Sequence, residues 1–325
     1  MLLLLSSSWH SQALVAKKRN RSDAIILSPT PFINFVRPNL VWGVGDNAGP
    51  VDIWNSQKGF LVQSIDPYSY ALNFPTTGAD GLYFDLDTEG FDASQLTWEP
   101  VTHEGITATV ELQHITAVEG WDMWMDGPED VTRVTLTGPR ADGDIIDANG
   151  NYIEISEHPT YPGLIYKPKL PQTFELVGKD RNGNVVVTYG FVLQKWFLGR
   201  DTDGRDPGVP SHAEWCNGLG YRLPKVKDLT NAVCRHNDPD SGECYGAFGA
   251  KPSSSGNHYQ RRIGAGFFTE WGKMVFYFGR TRYSDDGYPV SDPTGDNTFF
   301  AVATFDGHVF RNPPHTRYEG LCVTP

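Results

Sequence analysis

Four cysteines carry the most specific chemistry in this sequence. Cys216, Cys234, Cys244 and Cys322 all lie in the last third of its 325 residues. An even number confined to one region points to disulfides, and so to an oxidising compartment. Zinc is the rival reading, but there is no Cys-x-x-Cys pair and the spacings fit no zinc finger. Four cysteines allow three connectivities. If Cys234 and Cys244 close a short loop, Cys216 and Cys322 tie an early helix of that region to the last strand.

Other candidate chemistry is weaker. Asp85-x-Asp87-x-Glu89-Gly90 matches the first half of a calcium-binding EF-hand loop, but Leu96 stands where a bidentate Glu is required. Asp201, Asp203 and Asp206 form a second acidic loop. Both read as solvated acidic turns, and no metal or cofactor is expected. There is no nucleophile elbow, Walker loop, dinucleotide fingerprint or HExxH helix. His212, near a helix start, and His258, in a loop, read as surface residues. Leu170-Pro171-Gln172-Thr173 is similar to a sortase signal, but Phe174 replaces the required Gly. No enzyme is expected.

The elements that position these residues follow from composition and pattern. Gly and Pro are frequent, at 34 and 23 residues, as in a loop-rich, mostly β protein with real cores. The formal charge of −12 argues against nucleic-acid binding, which needs stripes of Lys and Arg. Met1-Leu2-Leu3-Leu4-Leu5 is apolar, but the basic run Lys17-Lys18-Arg19-Asn20-Arg21 follows it, the reverse of a secretory signal. Residues 1–30 read as an unstructured leader or a fragment end. No later segment is long enough to span a bilayer.

From Pro31 onward the pattern is strands and turns. Leu61–Ile65 and Gly81–Leu86 are candidates. Ile106–Leu112 and Val131–Thr137 alternate apolar and polar, as half-buried strands do. Ile145-Ile146 and Tyr152–Ile155 flank Asn149-Gly150, a favoured hairpin turn. Gln172–Gly178 and Val185–Leu193 form a long hairpin around Asp180-Arg181-Asn182-Gly183-Asn184. It is similar to the closing hairpin of bacterial immunoglobulin-like domains and places a boundary near residue 193.

Beyond it, Ser211 and Glu214 make a capping-box pattern for a helix ended by Gly218 or Gly220. Pro224 suits the first turn of a second helix running to about Cys234. Gly266–Phe268 and Met274–Phe278 read as strands. Phe299–Phe305 and His308–Phe310 read as a hairpin around Asp306-Gly307. The dense aromatics of Trp121–Met125 and Trp271–Phe278 read as core.

The Cys216 helix, Gly220-Tyr221-Arg222-Leu223-Pro224, the second helix and the terminal Cys322-Val323 strand resemble the C-type lectin-like fold. Trp215-Cys216 followed by Tyr221-Arg222-Leu223-Pro224 and Asp228-Leu229 looks like a bacterial version. From about Val41 onward the chain resembles the C-terminal adhesion region of the invasin/intimin family, of the invasin-E type. Five phrases carry this resemblance: Trp42–Pro50, Asn73–Gly78, Val134–Pro139, Leu170–Gly178 and Arg261–Gly272.

The resemblance implies a mainly β fold with a C-terminal α+β part. An immunoglobulin-like β-sandwich (31–193) would precede a C-type lectin-like domain (194–325). It implies a non-catalytic adhesin tip on the surface of a Gram-negative bacterium, part of a longer outer-membrane protein. The partner would be a host-cell surface protein, with a glycan as the alternative. The Glu-Pro-Asn, Gln-Pro-Asp and Trp-Asn-Asp signatures of calcium-dependent sugar sites do not occur. The Tyr- and Arg-bearing segment with Arg280, Arg282, Tyr283, Asp285 and Tyr288 is the expected recognition loop, since such side chains supply rigid contact area and paired hydrogen bonds. Trp215 and Leu223 are expected in the core beneath it.

Overall fold

The computed structural model describes residues 33–88, 90–116, 128–141, 144–146, 152–154, 165–200, 208–235, 241–277, 287–313, 316 and 318–325. The first strands are β1 (Phe35–Arg37), β2 (Trp54–Asn55), β3 (Gly59–Leu61), β4 (Thr77–Ala79), β5 (Tyr83–Leu86), β6 (Thr97–Trp98) and β7 (Val101–His103). There follow β8 (Ile106–Ile115), β9 (Glu129–Thr137), β10 (Asp144–Ile146), β11 (Tyr152–Glu154), β12 (Gln172–Lys179), β13 (Val185–Leu193) and β14 (Lys195–Arg200). Four short helices come next: α1 (Val209–Gly218), α2 (Val226–Leu229), α3 (Ser241–Cys244) and α4 (Phe267–Trp271). The chain closes with β15 (Gly287–Pro289), β16 (Phe299–Ala303), β17 (Val309–Asn312) and β18 (Gly320–Val323). The fold is therefore mainly β, and among the described residues the α-helices lie in the C-terminal part.

A seven-stranded sheet, β2-β3-β1-β5-β9-β8-β7, faces a smaller sheet, β13-β12-β6. In β8, Ile106, Ala108 and Val110 point inward and alternate with more exposed residues, as the period-two pattern requires. Central β9 departs from it: Val131 to Leu136 are all buried. Its one charged buried position, Arg133, is paired rather than solvated, whereas the buried Thr132 hydroxyl finds no hydrogen-bond partner. Arg133 lies 4.0 Å over the Tyr83 ring and donates to Asp85 at 2.8 Å. The β12–β13 hairpin forms with Phe174 paired to Phe191, and the two rings stack at 5.2 Å. Its turn is held by Asp180, which accepts from the backbone N–H groups of Asn182 and Asn184. Strands β10 and β11 pair as a hairpin, whose Asn149-Gly150 turn lies outside the described residues.

Residue 193, where the sequence suggests a boundary, ends β13, and β14 begins at Lys195. Strand β14 runs parallel to β4 and antiparallel to β18, so it joins the first half of the chain to its last strand. Across the same junction the buried Glu270 carboxylate on α4 accepts from Thr77 N at 2.9 Å, Thr76 Oγ1 at 2.8 Å and Gly264 N at 2.8 Å. Burial pushes that carboxyl above its ordinary pKa. Trp271 donates to Thr77 O and meets Phe74 at 4.8 Å. Residues Pro31–Pro325 form one compact unit.

Several local expectations are corrected. Helix α1 starts at Val209, capped by Gly208 at φ +84° with no side-chain cap. Ser211 is inside the first turn because Pro210, with its fixed φ, suits that turn. Helix α2 is only four residues long. Thr230 leaves it in an extended conformation and its carbonyl accepts from Ala250 N, which commits the following residues to the loop beside it. The apolar runs expected as strands at 266–268 and 274–278 are corrected where described: Phe267–Trp271 is α-helical and Met274–Tyr277 is a 3-10 turn, and Phe278 lies outside the described residues. Continuous apolar runs carry no period that separates strand from buried helix. Trp271, Met274 and Tyr277 are core residues, as expected, whereas Trp121–Met125 lie outside the described residues. The strand expected at Leu61–Ile65 ends at Leu61.

Candidate recognition surface

The stretch Glu214–Thr230 is a scaffold. Trp215, Tyr221 and Leu223 are buried. Cys216 on α1 is joined to Cys322 on β18, with Cα atoms 5.5 Å apart. Asp228, at the end of the capping turn, is buried and collects Lys195 Nζ at 2.7 Å, Arg222 Nη1 at 2.6 Å and Lys225 N at 2.8 Å. Burial alone would raise its pKa, but Arg222, Lys195 and the backbone donor outweigh that and hold it at about 2.

The second disulfide, Cys234–Cys244, closes a loop of sequence separation 10 and delivers the chain to Tyr245-Gly246-Ala247-Phe248. Here two large rings face solvent: Tyr245 is 66% and Phe248 77% exposed. Their backbone is well held. Phe248 bridges Val233, Ala247 N donates to Cys244 O at 3.0 Å, and Ala250 N donates to Thr230 O at 2.8 Å. From the neighbouring strand β17, the Arg311 guanidinium donates to Tyr245 O, pairs with Asp296 at 3.1 Å and lies over the Phe300 ring. Behind the loop, Asn231 bonds Pro252 O and Gln260 O and accepts from Gln260 N. The arrangement presents two aromatic rings on a clamped backbone beside a guanidinium. Those are the side-chain types that dominate protein hot spots, displayed with little loop entropy left to lose.

Of the expected recognition residues, Arg280, Arg282, Tyr283 and Asp285 lie outside the described residues. Tyr288 is corrected. It sits on β15 opposite Val302, fully buried, with its ring 6.2 Å from Phe268. All three residues of β15 are buried, so Tyr288 offers no contact surface. His212 is likewise buried rather than exposed, with Nε2 3.0 Å from Tyr318 O. His258 is half-buried, 3.1 Å from Ser255 Oγ. Tyr245 and Phe248 were not singled out from the sequence, although an aromatic pair in a Gly-rich turn directly after a disulfide cysteine is a readable signal.

Asp85, the first residue of the EF-hand-like phrase, is spent on Arg133 and Arg37. Asp201, Asp203 and Asp206 lie outside the described residues. Among the described residues no group of three or more His, Cys, Asp or Glu could hold a metal ion, and no helix is long and apolar enough to cross a membrane. A cleft of about 300 Å³ lies along β1, β5 and β9, lined by Arg37, Lys58, Asp85, Asp87 and Glu129. Most of its charges pair with one another, Arg37 bridging Asp85 and Glu129 and Lys58 meeting Asp87 at 3.5 Å, while Asp130 lies 2.6 Å from His114 outside the cleft.

No family model and no curated protein matches the chain. Three solved structures are similar to it. One is invasin, described as a bacterial integrin-binding protein, at 14% identity and a TM-score of 0.46, covering 91% of this chain and 40% of that one. The second is a C-terminal 282-residue fragment of intimin in complex with the intimin-binding domain of the translocated intimin receptor. It has 11% identity and a TM-score of 0.42, covering 90% of this chain and 66% of that one. The third is an intimin mutant of EHEC O157:H7, at 10% identity and a TM-score of 0.40, covering 83% and 92%. This chain thus spans two fifths of the invasin structure. No residue role is carried across at these values.

Proposed function

We propose that this chain is a non-catalytic adhesin tip that binds a host-cell surface protein through loops of its C-terminal part. The observation that supports it is the pair Tyr245 and Phe248, exposed on a loop held by the Cys234–Cys244 disulfide and by Arg311. Exposed aromatics on a rigid backbone contribute contact area at low entropic cost, which suits macromolecular recognition rather than turnover. In this reading residues 31–193 form an immunoglobulin-like spacer and residues 194–325 a C-type lectin-like recognition domain, fused through β14 and Glu270. Arg280, Arg282, Tyr283 and Asp285 are a second contact segment. They lead into β15, at the opposite edge of the three-stranded sheet whose β17 carries Arg311. The chain would act at the bacterial surface as part of a longer outer-membrane protein.

The test is binding of labelled protein to host cells after surface proteolysis or after enzymatic deglycosylation. The proposal expects proteolysis to abolish binding and deglycosylation to leave it. Loss on deglycosylation alone would replace the protein ligand with a glycan, and equal binding to all three preparations would reject specific recognition.

A further inference from the structure

A second surface lies on the loop between β1 and β2, remote in sequence from Tyr245 and Phe248. Among the described residues only Trp42 and Glu104 combine a side chain with a positive φ, and Trp42 is at φ +56°. A bulky residue rarely adopts this left-handed conformation, which costs energy and persists only where the surroundings impose it.

The surroundings here do impose it. Gly43 N donates to Leu40 O at 3.0 Å, and the Trp54 indole donates to Gly43 O at 2.7 Å. A Cβ on Gly43 would stand 2.5 Å from the Trp54 ring, so only glycine allows this approach. Val41 N donates to Asn39 Oδ1, and Asn47 reaches across to Tyr259 O at 3.0 Å. Arg261 N returns a bond to Asn47 O at 2.9 Å. The loop is thus bolted to the segment around Tyr259 and Arg261.

What this held loop exposes is one aromatic, two apolar and two acidic side chains. The Trp42 ring is 44% exposed and rests on Phe305, with ring centres 6.2 Å apart. Val44 and Val51 are 61% and 91% exposed. Asp46 and Asp52 are exposed on the same loop. From Val41 to Gln57 the chain has no Lys or Arg. Asp306 follows Phe305 and holds His308 at 2.7 Å. Two cations lie in the segment that holds the loop: Arg261 is fully buried against the Trp54 ring, and Arg262 is half-buried. Lys273, whose carbonyl accepts from Asn39, directs its ammonium over Phe276.

We propose that this loop is a docking site for a cationic amphipathic protein segment, whose Arg or Lys side chain stacks on Trp42 while its apolar residues cover Val44 and Val51. The argument is charge complementarity. An exposed indole attracts a cation through its ring face, and the carboxylates of Asp46 and Asp52 add to the attraction. The site lies outside the C-terminal loops proposed above, so it stands or falls independently of them.

The test uses the full chain and three twelve-residue peptides, alternating Leu with Arg, Gln or Glu, at low ionic strength. The Arg peptide should bind about tenfold more tightly than the Gln peptide, and the Glu peptide should not bind. Trp42→Gly removes the ring at a position whose backbone glycine adopts freely, and should weaken the Arg peptide about tenfold with no loss of melting temperature. Asp46→Asn with Asp52→Asn keeps the backbone and should weaken it severalfold. Tyr245→Ala with Phe248→Ala should leave peptide binding unchanged. Equal binding of the Arg and Gln peptides, unchanged binding by both loop variants, or loss of peptide binding in the Tyr245/Phe248 variant would each overturn the proposal.

Discussion

Neutralising Asp228 by Asp228→Asn should cost stability near neutral pH and almost nothing in strong acid. The carboxylate is buried, and it accepts from Arg222, Lys195 and the Lys225 backbone. Together these lower its pKa from 3.8 to about 2. A shift of that size corresponds to roughly 2 to 3 kcal/mol favouring the folded, ionised state. The sign follows from a depressed folded-state pKa. The contribution is complete above about pH 5, declines as the unfolded state binds its proton first, and is largely gone near pH 2. Urea unfolding of both proteins, followed by tryptophan fluorescence, should therefore separate them by roughly 2 to 3 kcal/mol at pH 7 and by well under about 1 kcal/mol at pH 2. A deficit of equal size at both pH values would show that the variant merely perturbs packing. A deficit below about 0.5 kcal/mol at pH 7 would show that the triplet of β14, the Arg222 segment and α2 does not fasten the scaffold.

The two disulfides should differ in a way set by the chain they enclose. On the loop-closure model, Cys216–Cys322, of separation 106, contributes about 4.8 kcal/mol, and Cys234–Cys244, of separation 10, about 2.7 kcal/mol. Paired Ser substitutions compared by chemical denaturation should keep that order, and a reversal would refute the entropic account. Removing only the short bridge should also weaken receptor binding more than its stability cost implies, because it frees the Tyr245–Phe248 loop; binding titrations at a temperature where the variant is fully folded would read this. Glu270→Ala strips partners from the buried donors Thr77 N, Thr76 Oγ1 and Gly264 N and should cost about 3 kcal/mol or more by denaturant unfolding. A cost under about 1 kcal/mol would mean that water replaces the carboxylate at the β4–α4 junction.

Elements with a strong local pattern were legible in the sequence. Strand β12 alternates apolar and polar residues, β16 is a short apolar run, and both hairpins have turn residues whose side chains close the turn, as Asp180 and Asp306 do. The C-terminal helices were harder. Phe267-Phe268 and the run from Met274 are apolar without a period, and their helical state depends on tertiary partners such as Glu270 with Thr76 and Thr77. The second helix was read too long because nothing in 230–234 announces that Thr230 and Val233 are needed for bonds to residues 248–256. The proposed recognition surface was only half visible. Tyr288 looked like a loop residue until β15 placed it opposite Val302 in the core. The exposure of Tyr245 and Phe248 depends on Arg311, 66 residues from Tyr245, which no local pattern encodes.

The central claim is that the clamped loop after Cys244 carries recognition, and affinity for host cells tests it most directly. Tyr245→Ala with Phe248→Ala removes two exposed rings and should leave the melting temperature within a few degrees of the unmodified protein, since neither side chain is in the core. Saturation binding of that folded variant to host cells should be weaker by at least about tenfold. Binding indistinguishable from the unmodified chain would contradict the account.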